Sequence, residues 1–158
     1  MLRNIYLFIF ILVFSFTSCS NDEKSKTSEI KKPVVVNIPD VLKKDTIISK
    51  HLSELSQNLG DFSVIVENVA DGLDAIGIKD IKNPSLFEKM QLMKIVLPKV
   101  EPAMKLVRNI QQLDIISEKI KDTLPQDKKN AFIAFERVFK NKFDTLNNRF
   151  KQYLTKDN

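Results

Sequence analysis

From Asp40 onward the apolar residues fall into a helical rhythm. Val41, Ile48, Leu52, Leu55, Leu59, Phe62, Val66, Val69, Leu73 and Ile76 are separated by steps of 7, 4, 3, 4, 3, 4, 3, 4 and 3. Such spacing puts about one apolar residue per turn on a single face, so a long helical seam is expected. The seam passes through Gly60, which weakens a helix by about 1 kcal/mol relative to Ala. It also passes through Phe62-Ser-Val-Ile-Val66, a run that alone would suit a strand. The unbroken phase on both sides favours helix. Asp40 reads as the N-cap and Gly77 as the residue just past the C-terminus.

A second helix is expected to open at Asn83-Pro84, with Pro at the first helical position. Its seam runs through Leu86, Met90, Met93, Leu97, Val100, Met104 and Val107, and continues through Ile110, Leu113, Ile116 and Ile120. Pro98 and Pro102 lie inside it and predict a kink or a break near residues 94–102. Asp122-Thr-Leu-Pro125 is the next punctuation, with Asp122 or Thr123 as cap and Pro125 opening a third helix. There Phe132, Phe135, Phe139, Phe143, Leu146, Phe150 and Tyr153 form one largely aromatic stripe. A stripe at this spacing is expected to be core rather than a ligand-lined groove. The expectation is an all-α fold, an antiparallel up-down-up bundle of three long helices over residues 40–158. A break at the prolines would make it four.

The segment before the bundle has a different pattern. Met1-Leu-Arg-Asn4 is short and positively charged, and Ile5–Phe14 is an uninterrupted apolar run. That run suits a signal peptide and is too short for a membrane span, which needs roughly 20 apolar residues. Phe16-Thr17-Ser18-Cys19 follows it and resembles a lipobox, the processing site of bacterial lipoproteins. The resemblance implies a signal peptide over 1–18, diacylglyceryl transfer to the Cys19 thiol, cleavage before Cys19 and acylation of the freed amine. Two or more acyl chains give stable attachment at about 0.8 kcal/mol per buried methylene. Phe replaces the usual Leu at the first lipobox position. Residues 19–39 are expected to be the lipidated Cys and a flexible tether, polar and aperiodic from Ser20 to Ser28. Pro33-Val-Val-Val-Asn-Ile-Pro39 is extended by its prolines and β-branched residues. It reads as the ordered end of that tether or as a strap lying along the domain. Ser20 after the Cys resembles outer-membrane sorting, and Asp22-Glu23 resembles the export signal of surface lipoproteins in Bacteroidetes. The Lys-, Asn- and Ile-rich, Gly-poor body resembles the small helical surface lipoproteins of Borrelia-type spirochaetes.

Composition narrows the chemistry. Cys19 is the single cysteine among 158 residues. An intrachain disulfide, a Cys-based zinc site and a CxxC redox pair are therefore excluded. The net charge of +5 is ordinary for a soluble surface and falls short of a nucleic-acid-binding composition. His51, the single histidine, sits beside the first seam without further ligands at metal spacing. No Gly-rich phosphate loop, HExxH or GxSxG occurs, so neither enzymatic activity nor a cofactor is expected.

Charge is unevenly divided. Residues 40–76 hold seven acids against three lysines, and residues 125–158 hold eight bases against four acids. Most of these charges are expected to pair between helices and set their orientation. Arg137, Lys140 and Lys151 lie off the Phe stripe and are the candidates for binding a protein or polyanionic partner. Met90, Met93 and Met104, beside the prolines, are a second candidate, because Met surfaces adapt to varied partners. The function expected is a helical binding module anchored to the outer membrane and facing the cell surface. The alternatives are a periplasm-facing envelope scaffold and a membrane-held inhibitor or immunity protein.

Overall fold

A computed structural model describes residues 32–77 and 84–154, with side chains to Lys151. Cys19 and the lipobox lie outside the described residues. The described residues form four helices: α1 (Asp40–Lys43), α2 (Thr46–Ala75), α3 (Leu86–Thr123) and α4 (Gln126–Leu154). The fold is all-α, three long helices and one short one packed against each other.

Cross-helix contacts fix the topology. His51, Asn58 and Gly72 of α2 meet Ser117, Asn109 and Ile95 of α3, so the two helices run antiparallel. Asp45 and Glu67 of α2 pair with Lys128 and Arg149 of α4, so these two run parallel. The expected up-down-up order follows. The core contains Leu52, Leu55, Leu59, Phe62, Val66 and Val69 from α2. Facing them are Phe132, Phe135, Phe139, Leu146 and Phe150 from α4, each at most 8% exposed. Phe62 packs edge-on against Phe150 with ring centres 5.8 Å apart. The Phe stripe is therefore core; its expected last member, Tyr153, falls beyond the described side chains.

The helix boundaries differ in instructive ways. The first seam does not start at Asp40. Asp45 is the N-cap of α2, accepting the Ile48 N–H at 3.3 Å. That hydrogen bond, together with Lys128, holds its carboxyl below the ordinary carboxylate range despite some desolvation. Asp40 instead opens α1, a single turn in a different phase, so Leu42 is fully buried and Val41 is 40% exposed. Gly77 closes α2 as expected, at φ +69°, where a side chain would be strained. The second helix begins not at Pro84 but after Ser85. The Ser85 hydroxyl accepts the Glu88 N–H while the Glu88 carboxylate accepts the Ser85 N–H, a reciprocal capping box. Thr123 does not cap α4; it ends α3, donating to the Ile120 carbonyl. The Pro125 carbonyl then accepts the Lys129 N–H at the start of α4.

The break expected near residues 94–102 is absent. α3 is continuous over 38 residues with both prolines inside it. Pro98 and Pro102 are exposed, so each interrupts the backbone ladder on the solvent side of the helix.

A larger correction concerns which face of α3 is buried. Val96, Ala103, Ile110 and Ser117 face the core at intervals of seven, flanked by half-buried Leu92, Ile95, Leu106 and Val107. This stripe overlaps the expected one at Ile110, and Val100, Val107, Leu113 and Ile120 of that seam pack against the core, but its Leu86, Met90, Leu97 and Ile116 are 79%, 58%, 42% and 44% exposed. Apolar residues occur on two sides of α3, so a 3/4 rhythm can be drawn along either. Small Ala103 and Ser117 let α3 approach α2 closely, which selects the other. Gly72 serves the same approach: a Cβ there would sit 2.7 Å from Ile95 Cγ2.

The segment 33–38 belongs to the domain, which corrects a tether running to residue 39. Val36 is 3% exposed within the core cluster, with Val34 and Ile38 packed against it. Its backbone is received by side chains of α2. Val34 N–H donates to Ser63 Oγ at 2.9 Å and Val36 N–H to Ser56 Oγ at 3.0 Å. Gly60 provides the clearance, since a Cβ would lie 3.1 Å from Pro33 Cβ and 3.3 Å from the Val34 carbonyl. The strap runs antiparallel to α2, and Lys142 of α4 clasps its far side by donating to the Val35 carbonyl.

Candidate functional site

α3 packs mainly along α2, while α4 meets it over a shorter length. Between α3 and α4 this leaves a groove of about 480 Å³. Its floor is apolar: Leu55, Ile110, Phe135, Phe139 and Phe143. The three Phe residues follow at i, i+4 along α4, with neighbouring rings nearly parallel and centres 6.3 and 6.4 Å apart. The Phe stripe thus serves the core with its buried faces and lines the groove with its edge.

The walls are charged. Asp114 and Glu118 come from α3, Glu136, Arg137, Lys140 and Asp144 from α4. Lys121 bridges the two helices, 2.6 Å from Glu118 Oε1 and 3.2 Å from Glu136 Oε2. The bond to Glu118 leads in holding the Lys121 ammonium above its ordinary pKa. Burial pushes the Glu136 carboxyl up, and Lys121 only partly offsets this. The second oxygen, Oε1, is buried without a hydrogen-bond partner among the described residues. A buried acceptor left unpaired costs roughly 1–3 kcal/mol, which adds to the burial that raises this carboxyl's pKa.

Ser117, 1% exposed, lies deep in the same groove with His51 behind it. His51 Nε2 and Ser117 Oγ are 2.8 Å apart, and burial leads in lowering the imidazole pKa. A nucleophile and base have this separation. A hydrolytic triad also needs a carboxylate on the second ring nitrogen and a hydroxyl that substrate can reach. No such carboxylate hydrogen bond occurs among the described residues. The pair is a satisfied polar contact within a tightly packed helix interface.

The sequence-derived candidates separate into three places. Arg137 and Lys140 are exposed at the groove mouth, without an ion pair to any described residue. They stand among four carboxylates, so the mouth is of mixed charge rather than basic. Lys151 is half-buried, about 17 Å further along α4 at 1.5 Å per residue, and does not line the groove. Met90 is exposed and Met93 and Met104 are half-buried, all outside the groove on α3. Other bases of α4 hold the fold: Lys128 pairs with Asp45, Arg149 with Glu67, and Lys142 with the strap. Asp114, Ser117, Lys121, Glu136 and Asp144 gave no sequence signal, because only the splay of α3 from α4 makes them neighbours.

Among the described residues no group of three or more His, Cys, Asp or Glu is placed to hold a metal ion. No described helix is long and apolar enough to cross a membrane. Comparison with known protein families, with characterised proteins and with solved structures finds no match to the chain.

Proposed function

We propose that the chain is a lipid-anchored binding module of the bacterial outer membrane whose α3–α4 groove receives an amphipathic segment of a partner protein. The observation that carries the reading is the open Phe135–Phe139–Phe143 floor between walls of mixed charge. Together they suit a ligand with apolar side chains and charges of both signs. An amphipathic helix or strand of another protein supplies both. Mixed charge at the mouth favours such a segment over a polyanion, which would meet Asp114, Glu118 and Asp144 as well as Arg137 and Lys140. The anchor rests on the Phe16-Thr17-Ser18-Cys19 motif and its preceding apolar run.

A photo-reactive residue placed at Lys140 in the processed protein tests the reading in intact cells. A discrete protein adduct is expected from position 140 and not from exposed Ile47, which lies outside the groove. The adduct should be lost on Ile133→Asp, a change at a 37% exposed groove position that leaves the core intact. Equal adducts from both positions, or none from 140, would refute the groove. Protease treatment of intact cells then places the domain, since digestion before lysis is expected only if it faces outward.

A further inference from the structure

The first turns of α3 carry an apolar surface that the bundle leaves open. With Gly72 beside Ile95, Ala75 at the end of α2 is level with roughly Leu92. α3 begins at Leu86, so its first turns project about 9 Å beyond α2 at 1.5 Å per residue. Leu86, Phe87 and Met90 on this projection are 79%, 69% and 58% exposed, and Leu97 just past it is 42% exposed. At 100° per residue, Leu86, Met90, Met93 and Leu97 form one stripe turned away from the buried Val96–Ala103 face. Lys89 and Lys94 flank it on opposite sides, and neither forms an ion pair with a described residue. Phe, Leu and Met bordered by lysines is the make-up of a helix that lies in a lipid interface. There the rings and chains enter the acyl boundary and the ammonium groups reach anionic headgroups.

The path of the chain indicates which surface this stripe meets. The strap runs antiparallel to α2, with Val34 at Ser63 and Val36 at Ser56, so its N-terminal end points toward the projecting end of α3. Pro33 lies beside Gly60, roughly 25 Å along the bundle axis from the level of Met90. Twelve residues lie between Cys19 and Lys32, a span of thirteen Cα-to-Cα steps. That length spans about 20 Å as a coil and about 45 Å fully extended. The strap's direction and this reach together let an anchor at Cys19 serve the end of the bundle that carries the stripe.

We propose that the projecting turns of α3, through Leu86, Phe87 and Met90 with Lys89 and Lys94, dock onto the anionic lipid surface in which the chain is anchored. This deepens the lipoprotein reading and rests on it. Docking fixes the bundle at its projecting end and leaves the α3–α4 groove, whose α3 lining runs from Ile110 to Glu118, in the far half of α3 and away from the bilayer.

The test uses the processed, full-length chain reconstituted in vesicles of phosphatidylethanolamine and phosphatidylglycerol. Met90→Cys, and as control Ile115→Cys near the other end of α3, carry a fluorophore, with nitroxide groups on the lipid tails. Acylation consumes the native thiol, so the introduced cysteine alone should label. The expected result is loss of fluorescence at position 90 and none at 115. The loss should weaken as salt rises and vanish on adding Leu86→Glu and Phe87→Glu. Equal fluorescence at both positions in a vesicle-bound protein overturns docking while leaving the anchor standing. Disulfide-linked dimers of unlabelled Met90→Cys would assign the stripe to a second copy and overturn it too. Thiol labelling of the wild-type chain, with failure to float with vesicles, overturns the anchor itself and docking with it.

Discussion

His51 of α2 and Ser117 of α3 meet in the interior with Nε2 and Oγ 2.8 Å apart, both nearly inaccessible to water. Burial favours the neutral imidazole, so the folded-state pKa lies below the ordinary 6.5, against a smaller opposing pull from Glu54. The unfolded chain then binds more protons than the folded one around and below that value. Stability is fully present above about pH 6.5 and declines as pH falls through it. Glu136 works the other way, because its raised pKa makes the folded chain the better proton binder above its ordinary 4.5. The two are separated by comparing urea midpoints of wild type and His51→Gln from pH 5 to 8. The variant should lose the decline below about 6.5. An unchanged pH profile would show that His51 is not held neutral.

The contact between Gly72 and Ile95 predicts an unusual response to a conservative change. Gly72→Ala gains about 1 kcal/mol of helix propensity. Its new methyl meets a stiff β-branched Cγ2 at 2.7 Å, and overpacking of this kind costs roughly 1–3 kcal/mol. A net destabilisation is expected. Adding Ile95→Ala should cost less in the Gly72→Ala background than in wild type, a negative coupling visible in a double-mutant cycle. Strict additivity would mean that the two helices are not in register at this level.

Phe132 is fully buried and Phe139, 8% exposed, borders the groove. Phe132→Ala should destabilise by roughly 3–5 kcal/mol, and Phe139→Ala by an amount near the lower end of that range, because its cavity opens to solvent. Thermal melts of both variants check the order. A Phe139→Ala protein that melts like wild type would show the aromatic stripe to be a ligand surface rather than core.

The strap should be energetically part of the domain. Val36→Ala removes two methyl groups from the core and should cost on the order of 1–2 kcal/mol at about 0.8 kcal/mol per methylene plus a cavity contribution. Ser56→Ala with Ser63→Ala removes the acceptors for the Val36 and Val34 N–H groups. Hydrogen exchange at these two amides should then accelerate together, with proteolysis within residues 33–38, while amides in the middle of α2 stay protected. Rapid exchange at Val34 and Val36 in the wild type would return the segment to the tether.

Charge reversal divides the bases of α4 by role. Arg137→Glu with Lys140→Glu should leave helicity and melting temperature nearly unchanged, since exposed charges contribute under about 1 kcal/mol each. Lys142→Glu should loosen the strap, because Lys142 holds the Val35 carbonyl at 2.8 Å. The same proteolysis assay reads that effect. Equal sensitivity of both variants would erase the distinction between mouth and clasp.

The residues themselves determined the existence of the long helices, the turns between them and the Phe stripe as core. Those features follow from local periodicity and from breakers such as Gly77 and Pro125, which act within a few residues of where they stand. The start of α3 was also legible in Ser85-Leu-Phe-Glu88, though Pro84 offered a competing signal one residue away. Local pattern could not decide which face of α3 is buried. Its apolar residues form two adjoining stripes, and the choice fell to how closely α3 approaches Gly72 and the small Ala103 and Ser117. The strap was ambiguous for a related reason, since an extended Val-rich segment acquires partners only where Ser56, Gly60 and Ser63 of another element present a hydroxyl, a gap and a hydroxyl. The groove and the exposed stripe are likewise products of assembly. One arises where α4 parts from α3, the other where α3 outruns α2, and both depend on relative helix placement that no single helix encodes.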